Sequence, residues 1–157
     1  MTLPSLQHVL ATTDLSPRSD RALPYAFALA GRRGRVHLMH VIEPVSAPNP
    51  LYAHYTPSRT PTPEERAAQL EAIRAELRSR VPEEAAELEI EVDLEVVEDQ
   101  HVAEALCRAA EQLGVDALCM GSHGRGGLAA VWVGSVTRDV VRCARRPVLV
   151  VRTGDPD

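Results

Sequence analysis

The chain contains no lysine, and all seventeen of its basic residues are arginine. A Walker A loop, G-x-x-x-x-G-K-[ST], needs a lysine to reach the phosphates, so a P-loop enzyme is excluded. Acidic residues outnumber basic ones, 22 to 17, so the net charge is −5. Nucleic acids and anionic membranes both require a basic face, and we therefore expect neither as a partner.

Aromatic residues make up only 3% of the chain, which predicts an aliphatic core. No apolar run approaches the length of a membrane span, and the N-terminus carries no basic, signal-like region. We therefore expect a cytoplasmic protein without a membrane segment. At 157 residues with 45% hydrophobic content, the sequence predicts one domain over residues 1–157 that buries its own core.

Cysteine is also sparse. Cys107, Cys119 and Cys143 are odd in number and widely spaced, which predicts reduced thiols on core faces, not a disulfide framework or a metal site. His37 and His40 are three apart on a predicted strand and point to opposite faces, so they do not share a metal. We expect no metal site built from protein side chains.

Hydrophobic patterning predicts five strands and four helices in alternation. The strands are expected at residues 8–13, 36–42, 89–96, 117–120 and 147–151. Ser16-Pro17 begins the first helix, which Pro24 should kink. Thr62 begins the second helix with a capping box, the third runs from 102 to 113, and the fourth follows Ser135. Residues 43–63 form a proline-rich loop.

Strict alternation of apolar and acidic residues over 89–96 predicts a strand at the edge of the sheet. Right-handed crossovers then give an open, single-domain α/β fold with helices on both faces of a parallel sheet in order 3-2-1-4-5. The chain reverses direction between strands 1 and 4. Ligands of such sheets bind in the crevice at this reversal, which Asp14 and Gly121 should border.

Most of the nine glycines lie in one segment, G-S-H-G-R-G-G-L-A-A-V-W-V-G-S, from Gly121 to Ser135. Glycine lets the backbone approach a ligand, and a helix beginning just after Gly134-Ser135 points free N–H groups into the loop. Together these features predict an anion site suited to phosphate. The dinucleotide fingerprint Gly124-x-Gly126-x-x-Ala129 is rejected, because the helix begins some ten residues too late and the position twenty on is Ala144, not an acid.

The spacing Gly121-x2-Gly124-x9-Gly134-Ser, preceded by Met120 and followed by R-R-P-V-L-V-V-R, resembles the nucleotide-binding half of the universal stress protein family. V-L-A-T-T-D-L-S-P-R-S-D-R-A-L near the N-terminus and H-L-M-H-V-I-E after the first helix extend the resemblance. It fails only at residues 43–62. It implies an adenine nucleotide alpha hydrolase-like, Rossmann-like fold of the subgroup that binds ATP.

The resemblance also implies which residues bind ATP, with Mg²⁺ as a possible companion. Adenine and ribose would contact Thr13, Asp14 and the backbone at Val41. The phosphates would contact the amides of Gly121, His123 and Gly124, and residues Gly134, Ser135, Val136 and Thr137. On physical grounds, Arg125 or a bound Mg²⁺ would help to offset the phosphate charge. An acidic residue after a strand is more often only a turn former than a ligand contact, and this is the alternative interpretation of Asp14 taken alone. His123 is expected to be a backbone contact or a solvent-exposed side chain, not a catalytic base.

The last strand is apolar at Val148, Leu149, Val150 and Val151, yet the strand order places it at an edge of the sheet, where the same strand of a second copy would most simply cover it. The resemblance also implies a homodimer that forms through this strand. The leading interpretation is a nucleotide-dependent stress-response or regulatory module, and no catalytic residue is assigned. One alternative is a slow Mg²⁺-dependent ATP hydrolase that uses Arg125. Another is a structural dimer whose crevice is empty or holds AMP.

Overall fold

The computed structural model describes residues 4–44, 61–122 and 133–152, which form an open parallel sheet between two layers of helices. The strands lie in the order β3-β2-β1-β4-β5, and all paired neighbours are parallel. The predicted sheet order is confirmed. The strands are β1 (His8–Thr12), β2 (Arg35–Ile42), β3 (Glu91–Glu98), β4 (Ala117–Gly121) and β5 (Val148–Val151).

Six helical segments connect these strands in the described residues. They are α1 (Pro17–Asp20), α2 (Leu23–Ala30), α3 (Pro63–Arg78), α4 (Glu84–Glu87), α5 (Val102–Leu113) and α6 (Ser135–Cys143). Thr62 caps α3 with the predicted capping box, in which Glu65 completes the reciprocal hydrogen bond. Gly114 ends α5 in the left-handed conformation with φ 64°, which glycine adopts without steric cost.

The first helix differs from the prediction. Pro24 does not kink a continuous helix, because the chain breaks into α1 and α2 and places this proline in the first turn of α2. A first-turn proline loses no helical hydrogen bond, since its missing N–H would have had no partner there. The predicted helix start is correct, with Ser16 as the N-cap and Pro17 as the first residue of α1. The short α4 was not predicted.

The two faces of the sheet bury separate apolar clusters. Val9 and Ala11 of β1 face the side of α2 and α3, where they pack with Phe27 and Leu77. Leu10 faces α5 and α6 on the opposite side. Fully burying one such leucine contributes about 1.5–3 kcal/mol to the stability of the fold. Because successive side chains of β1 point to opposite faces, this one strand packs against both helical layers. The core is aliphatic, as predicted, with Phe27 as its buried aromatic among the described residues.

Strand β3 lies at one end of the sheet, as its acidic alternation predicts. Its acidic face is half-buried to exposed, and it forms ion pairs with β2. Arg35 donates from Nε to Asp93 Oδ2 at 2.8 Å and approaches Glu91 at 3.7 Å. The charges on this strand therefore contribute cross-strand pairs as well as a solvated surface.

The cysteine prediction is wrong for two of the three residues. Cys107 of α5 and Cys143 of α6 form a disulfide, with Cα atoms 6.4 Å apart. The two cysteines are 36 positions apart in the sequence, and only the packing of α5 on α6 brings their side chains together, so the sequence did not reveal this pairing. Cys119 is a buried thiol as predicted, and burial raises its pKa to about 12. None of the helices in the described residues is long and apolar enough to span a membrane.

Candidate functional site

The crevice beside the reversal of strand order lies between the ends of β1 and β4. Strand β1 has β2 on one side and β4 on the other. The pairing of Thr12 with Met39 and of Ala11 with Cys119 fixes the register. Continuing this register by two residues places Asp14 level with Val41, and Thr13 level with Gly121. The sheet thus aligns four of the predicted site residues at the carboxyl ends of β1, β2 and β4.

The turn after β1 is held by a dense group of hydroxyl and carboxylate hydrogen bonds. Asp14 Oδ1 accepts from the Ser16 amide at 3.0 Å, from Ser16 Oγ at 2.6 Å and from Ser19 Oγ at 2.6 Å. The Thr13 hydroxyl donates to Asp20 Oδ1 at 2.7 Å and accepts from the Leu15 amide at 2.9 Å. Asp14 therefore has the turn-forming role that was its alternative interpretation. The resulting turn fixes the backbone of residues 13–16 at the crevice.

Leu15 lies at the centre of this turn in the left-handed region, with φ 65°. This conformation costs a non-glycine residue on the order of 1–2 kcal/mol, so neighbouring contacts must hold it. Arg80, beyond the end of α3, supplies one of them by donating to the Leu15 carbonyl at 3.0 Å. The same guanidinium pairs with Asp20 at 2.9 Å and with Glu76 at 2.9 Å. Arg80 thus braces the turn from outside.

Electrostatics favour this brace. Burial lowers the pKa of Arg80, but hydrogen bonds and attraction to Glu76 and Asp20 outweigh burial, so the pKa lies above its usual value. The side chain is only 14% exposed, which limits solvent screening of these pairs. On the other side of the turn, His40 donates from Nδ1 to the Thr13 carbonyl at 2.9 Å. The turn is therefore fastened to both α3 and β2.

The far side of the crevice is the start of α6. Gly134 is its N-cap and supplies no side-chain cap, and the first turn carries no acidic residue. The amides of such a turn have no helical carbonyl to accept from them, and they carry the positive end of the helix dipole. Thr137 is buried and donates from its hydroxyl to the Gly121 carbonyl at 2.9 Å. This bond fixes the helix start to the end of β4.

The described structure brings eight of the predicted site residues to this edge of the sheet. They are Thr13, Asp14, Val41, Gly121, Gly134, Ser135, Val136 and Thr137. Ser135 and Val136 are exposed, whereas the Thr137 hydroxyl is engaged inside the protein. His123, Gly124 and Arg125 lie outside the described residues, as does most of the proline-rich loop 43–63.

Sequence reasoning missed the residues that support the turn, namely Ser19, Asp20 and Arg80. Ser19 and Asp20 follow the predicted N-cap Ser16 and were read only as part of a helix. Arg80 is sixty residues away from Asp20 in the chain. The position of Ser19, five residues after Asp14 and three after the predicted N-cap Ser16, was a usable signal in the sequence, whereas nothing in the sequence pointed to Arg80.

Comparison with known proteins places this geometry in a family. The model of the universal stress protein family matches residues 5–152. Universal stress protein A homolog 2 of Coxiella burnetii is 30% identical over 149 residues, covering 92% of this chain and 93% of that protein. Universal stress protein Rv2005c of Mycobacterium tuberculosis is 31% identical over 156 residues, covering 96% of this chain and 48% of that protein.

A shorter match, to universal stress protein MJ0577 of Methanocaldococcus jannaschii, is 45% identical over 49 residues, or 31% of this chain and 30% of that protein. The chain thus spans about half the length of the mycobacterial relatives, and the archaeal match covers less than a third of either protein.

Solved structures share the fold over nearly the whole chain. The structure of hypothetical protein MJ0577 has a TM-score of 0.74 and 26% identity, covering 98% of this chain and all of that one. A universal stress protein in complex with cAMP has a TM-score of 0.65 and 23% identity, covering 96% of this chain and 99% of that one. These likenesses confirm the Rossmann-like architecture. With the family model matching 148 of 157 residues, from 5 to 152, the chain belongs to the universal stress protein family.

Proposed function

We propose that this protein binds ATP in the crevice between β1 and β4 and acts as a nucleotide-dependent stress-response or regulatory module. The observation that carries the proposal is the convergence of two unlike elements on one edge of the sheet. A rigid turn at Thr13 and Asp14 follows β1, and an uncapped helix start at Gly134 follows β4. The first suits a sugar and base, and the second suits phosphate.

The binding energy must come from several sources, because the chain offers no lysine. Micromolar affinity needs about 8 kcal/mol, and a helix terminus contributes at most about 2 kcal/mol. Main-chain amides of the glycine segment, burial of the base and a bound Mg²⁺ would supply the rest. In this arrangement Gly121, His123 and Gly124 contact the inner phosphates, and Ser135 to Thr137 contact the distal ones.

Related proteins support an adenine nucleotide as the ligand. A solved universal stress protein holds cAMP, and one from Archaeoglobus fulgidus, with a TM-score of 0.54 and 18% identity over 91% of this chain and 95% of that one, holds dAMP. At these identities the likeness is one of fold, so the two complexes support the capacity of this architecture for adenine nucleotides. The glycine spacing of the present chain favours the triphosphate.

The decisive experiment is mass spectrometry of the nucleotide released from the purified protein, followed by calorimetry with Mg²⁺ and ATP. We expect ATP in the released fraction and micromolar binding. Recovery of AMP alone would contradict the ATP assignment, and an empty crevice that does not bind ATP would contradict the function. Phosphate release above that of a heat-treated control would show hydrolysis, which is not part of the proposed function.

The proposal includes a cytoplasmic homodimer that forms through β5. This strand ends the sheet, and Val148, Val150 and Val151 are half-buried while Leu149 is 38% exposed. An apolar terminal strand of this kind is commonly covered by the same strand of a second copy across a two-fold axis. A stable monomer at micromolar concentration in size-exclusion chromatography with light scattering would contradict the dimer.

A further inference from the structure

The disulfide between Cys107 and Cys143 joins two helices that pack on the same face of the sheet. Cys107 lies in the middle of α5, and Cys143 is the last residue of α6. The bond closes a covalent ring of chain from residue 107 to residue 143. This ring contains β4, the glycine segment 121–135 and the whole of α6.

The ring encloses only one part of the proposed nucleotide site. The residues proposed to contact phosphate lie within it, from Gly121 to Thr137. The residues proposed to contact adenine and ribose lie outside it, and they are Thr13, Asp14 and Val41. Breaking the cross-link therefore acts first on the position of the phosphate contacts and leaves the base and sugar contacts in place.

Helix α6 has few other anchors at its phosphate end. It is nine residues long, or about 13 Å, and only Thr137 and Val140 are buried. The Thr137 hydroxyl donates to the Gly121 carbonyl at 2.9 Å, and Val140 packs in the same apolar cluster as Leu106 of α5. The other residues of the helix are half-buried or exposed. Because an α-helix is stiff along its axis, a cross-link at its last residue also restrains the direction of its first turn.

The disulfide is accessible to a reductant. Cys143 is exposed and Cys107 is half-buried. A carbonyl oxygen lies near each sulfur, since Cys107 Sγ is 3.8 Å from the Val140 oxygen and Cys143 Sγ is 3.7 Å from the Ala103 oxygen. A thiol is a weak donor, so both thiols formed on reduction have an acceptor where they stand. Reduction thus releases α6 from its cross-link without a need to unfold the domain.

The proposed cytoplasmic location favours a reversible bond over a permanent one. Reducing systems keep most cytoplasmic thiols reduced, and the disulfides found there are usually transient and catalytic or redox-sensing. Exposed disulfides also exchange more readily than buried ones. The third cysteine, Cys119, stays outside this exchange, because it is buried and its pKa is raised to about 12.

We propose that the bond between Cys107 and Cys143 is a redox switch for the phosphate half of the nucleotide site, and that the oxidised protein binds ATP more tightly than the reduced one. This inference rests on the proposed binding of ATP at the start of α6. In the oxidised protein the first turn of α6 is held in place before the ligand arrives. In the reduced protein part of the binding energy is used to order that turn, which lowers the affinity.

Reduction proceeds by thiol–disulfide exchange with a dithiol. One thiolate of the dithiol attacks the exposed Cys143 sulfur and forms a mixed disulfide, while Cys107 leaves as a thiolate and takes up a proton. The second thiol of the reductant then displaces Cys143, which also takes up a proton. The dithiol is oxidised to its own disulfide, and the cysteine pair gains two electrons and two protons. Exchange with an oxidised thiol compound such as glutathione disulfide re-forms the bond.

Linkage between the two equilibria sets the reverse effect. If the disulfide strengthens ATP binding by some factor, bound ATP must make the disulfide harder to reduce by the same factor. Adenosine carries no phosphate, so it should leave the reduction equilibrium unchanged. The switch therefore distinguishes the triphosphate from the nucleoside that it contains.

The test is a titration of the full chain with ATP and Mg²⁺ after oxidation by glutathione disulfide and again after reduction by dithiothreitol, with adenosine as the matched ligand. Maleimide labelling counts the free thiols in each sample. We expect reduction to weaken ATP binding at least about fivefold and to change adenosine binding less than about twofold. The Cys107→Ser/Cys143→Ser double variant should bind ATP as the reduced wild type does under both conditions. Cys119→Ala is the control and should keep the full redox response.

The possible results separate this inference from the proposed function. Equal ATP affinities in the two redox states would overturn the switch and leave ATP binding in place, whereas no ATP binding in either state would overturn both. An equal loss for ATP and adenosine would show a general loosening of the domain and would contradict the assignment to the phosphate half. Cysteines 107 and 143 that still react with maleimide after oxidation would show that the bond does not form, which also overturns the switch.

Discussion

A carboxylate introduced at Val136 should stabilise the helix and weaken ATP binding at the same time. Val136 is the second residue of α6, it is exposed, and the first turn of this helix carries no acidic residue. A negative charge there interacts favourably with the helix dipole, by about 0.3–1 kcal/mol. The same charge repels a phosphate bound at the helix start. Val136→Glu should therefore change stability and affinity in opposite directions.

The size of the affinity loss follows from Coulomb's law. Two like charges about 10 Å apart at an effective dielectric constant of about 20 repel by about 1.7 kcal/mol, which weakens binding about fifteen-fold. Val136→Gln is the control, because it has nearly the same shape and no charge. The difference between the two variants should shrink as salt is added, since the interaction is partly exposed to solvent.

Calorimetry with Mg²⁺ and ATP gives the affinities, and thermal unfolding without ligand gives the stabilities. Equal affinities of the glutamate and glutamine variants at low ionic strength would refute the placement of phosphate at α6. A glutamate variant that loses both stability and affinity would point to misfolding and would leave the electrostatic explanation without support.

Three further predictions concern the fold. Arg80→Met should lower the free energy of unfolding by about 1–3 kcal/mol, because the Leu15 carbonyl and the half-buried carboxylate of Asp20 lose their donor. Arg74, whose side chain is 42% exposed, is the control, and Arg74→Met should change the free energy of unfolding by less than about 0.5 kcal/mol in the same denaturant titration. Reduction of the disulfide between Cys107 and Cys143 by dithiothreitol should destabilise the protein by about 2–4 kcal/mol, because it removes a cross-link that restricts the unfolded chain between residues 36 positions apart. The double serine variant should show no response to reductant. Asp93→Asn should reduce the loss of stability at acid pH. The hydrogen bond from Arg35 holds the pKa of Asp93 below its usual 3.8. The ionised Asp93 side chain therefore stabilises the folded protein fully above pH 3.8, and this stabilisation is lost as the pH falls through the lower pKa of the folded state. An unchanged acid limb in urea titrations would contradict this assignment.

Local rules predicted most of the fold. The alternation of residues 89–96, the capping box at Thr62 and Gly114 at the end of α5 each acted within a few residues, and each is confirmed. The order of the sheet followed from one edge strand and the handedness of crossovers. The glycine spacing pointed to α6 and the end of β4, which the structure brings together.

Contacts between distant parts of the chain were not predictable from the sequence. The disulfide depends on how α5 packs against α6, and the pairing of Arg80 with Asp20 joins residues sixty positions apart. The hydrogen bond between the rings of His8 and His37 required the register of β1 on β2. Pro24 was misjudged because a single break after Asp20 converts an interior proline into a first-turn one. Tertiary packing, and not propensity, decided all four.

The two terminal strands give the sheet unequal ends. Strand β3 carries Glu91, Glu95 and Glu98, so two copies meeting along it would bring like charges into opposition. Strand β5 carries only aliphatic side chains. If two copies pair through β5 as proposed, both outward ends of the joined sheet are acidic β3 strands. Like charges on these ends would then oppose the addition of a third copy, so the assembly would stop at a pair and would not grow into an open-ended fibre.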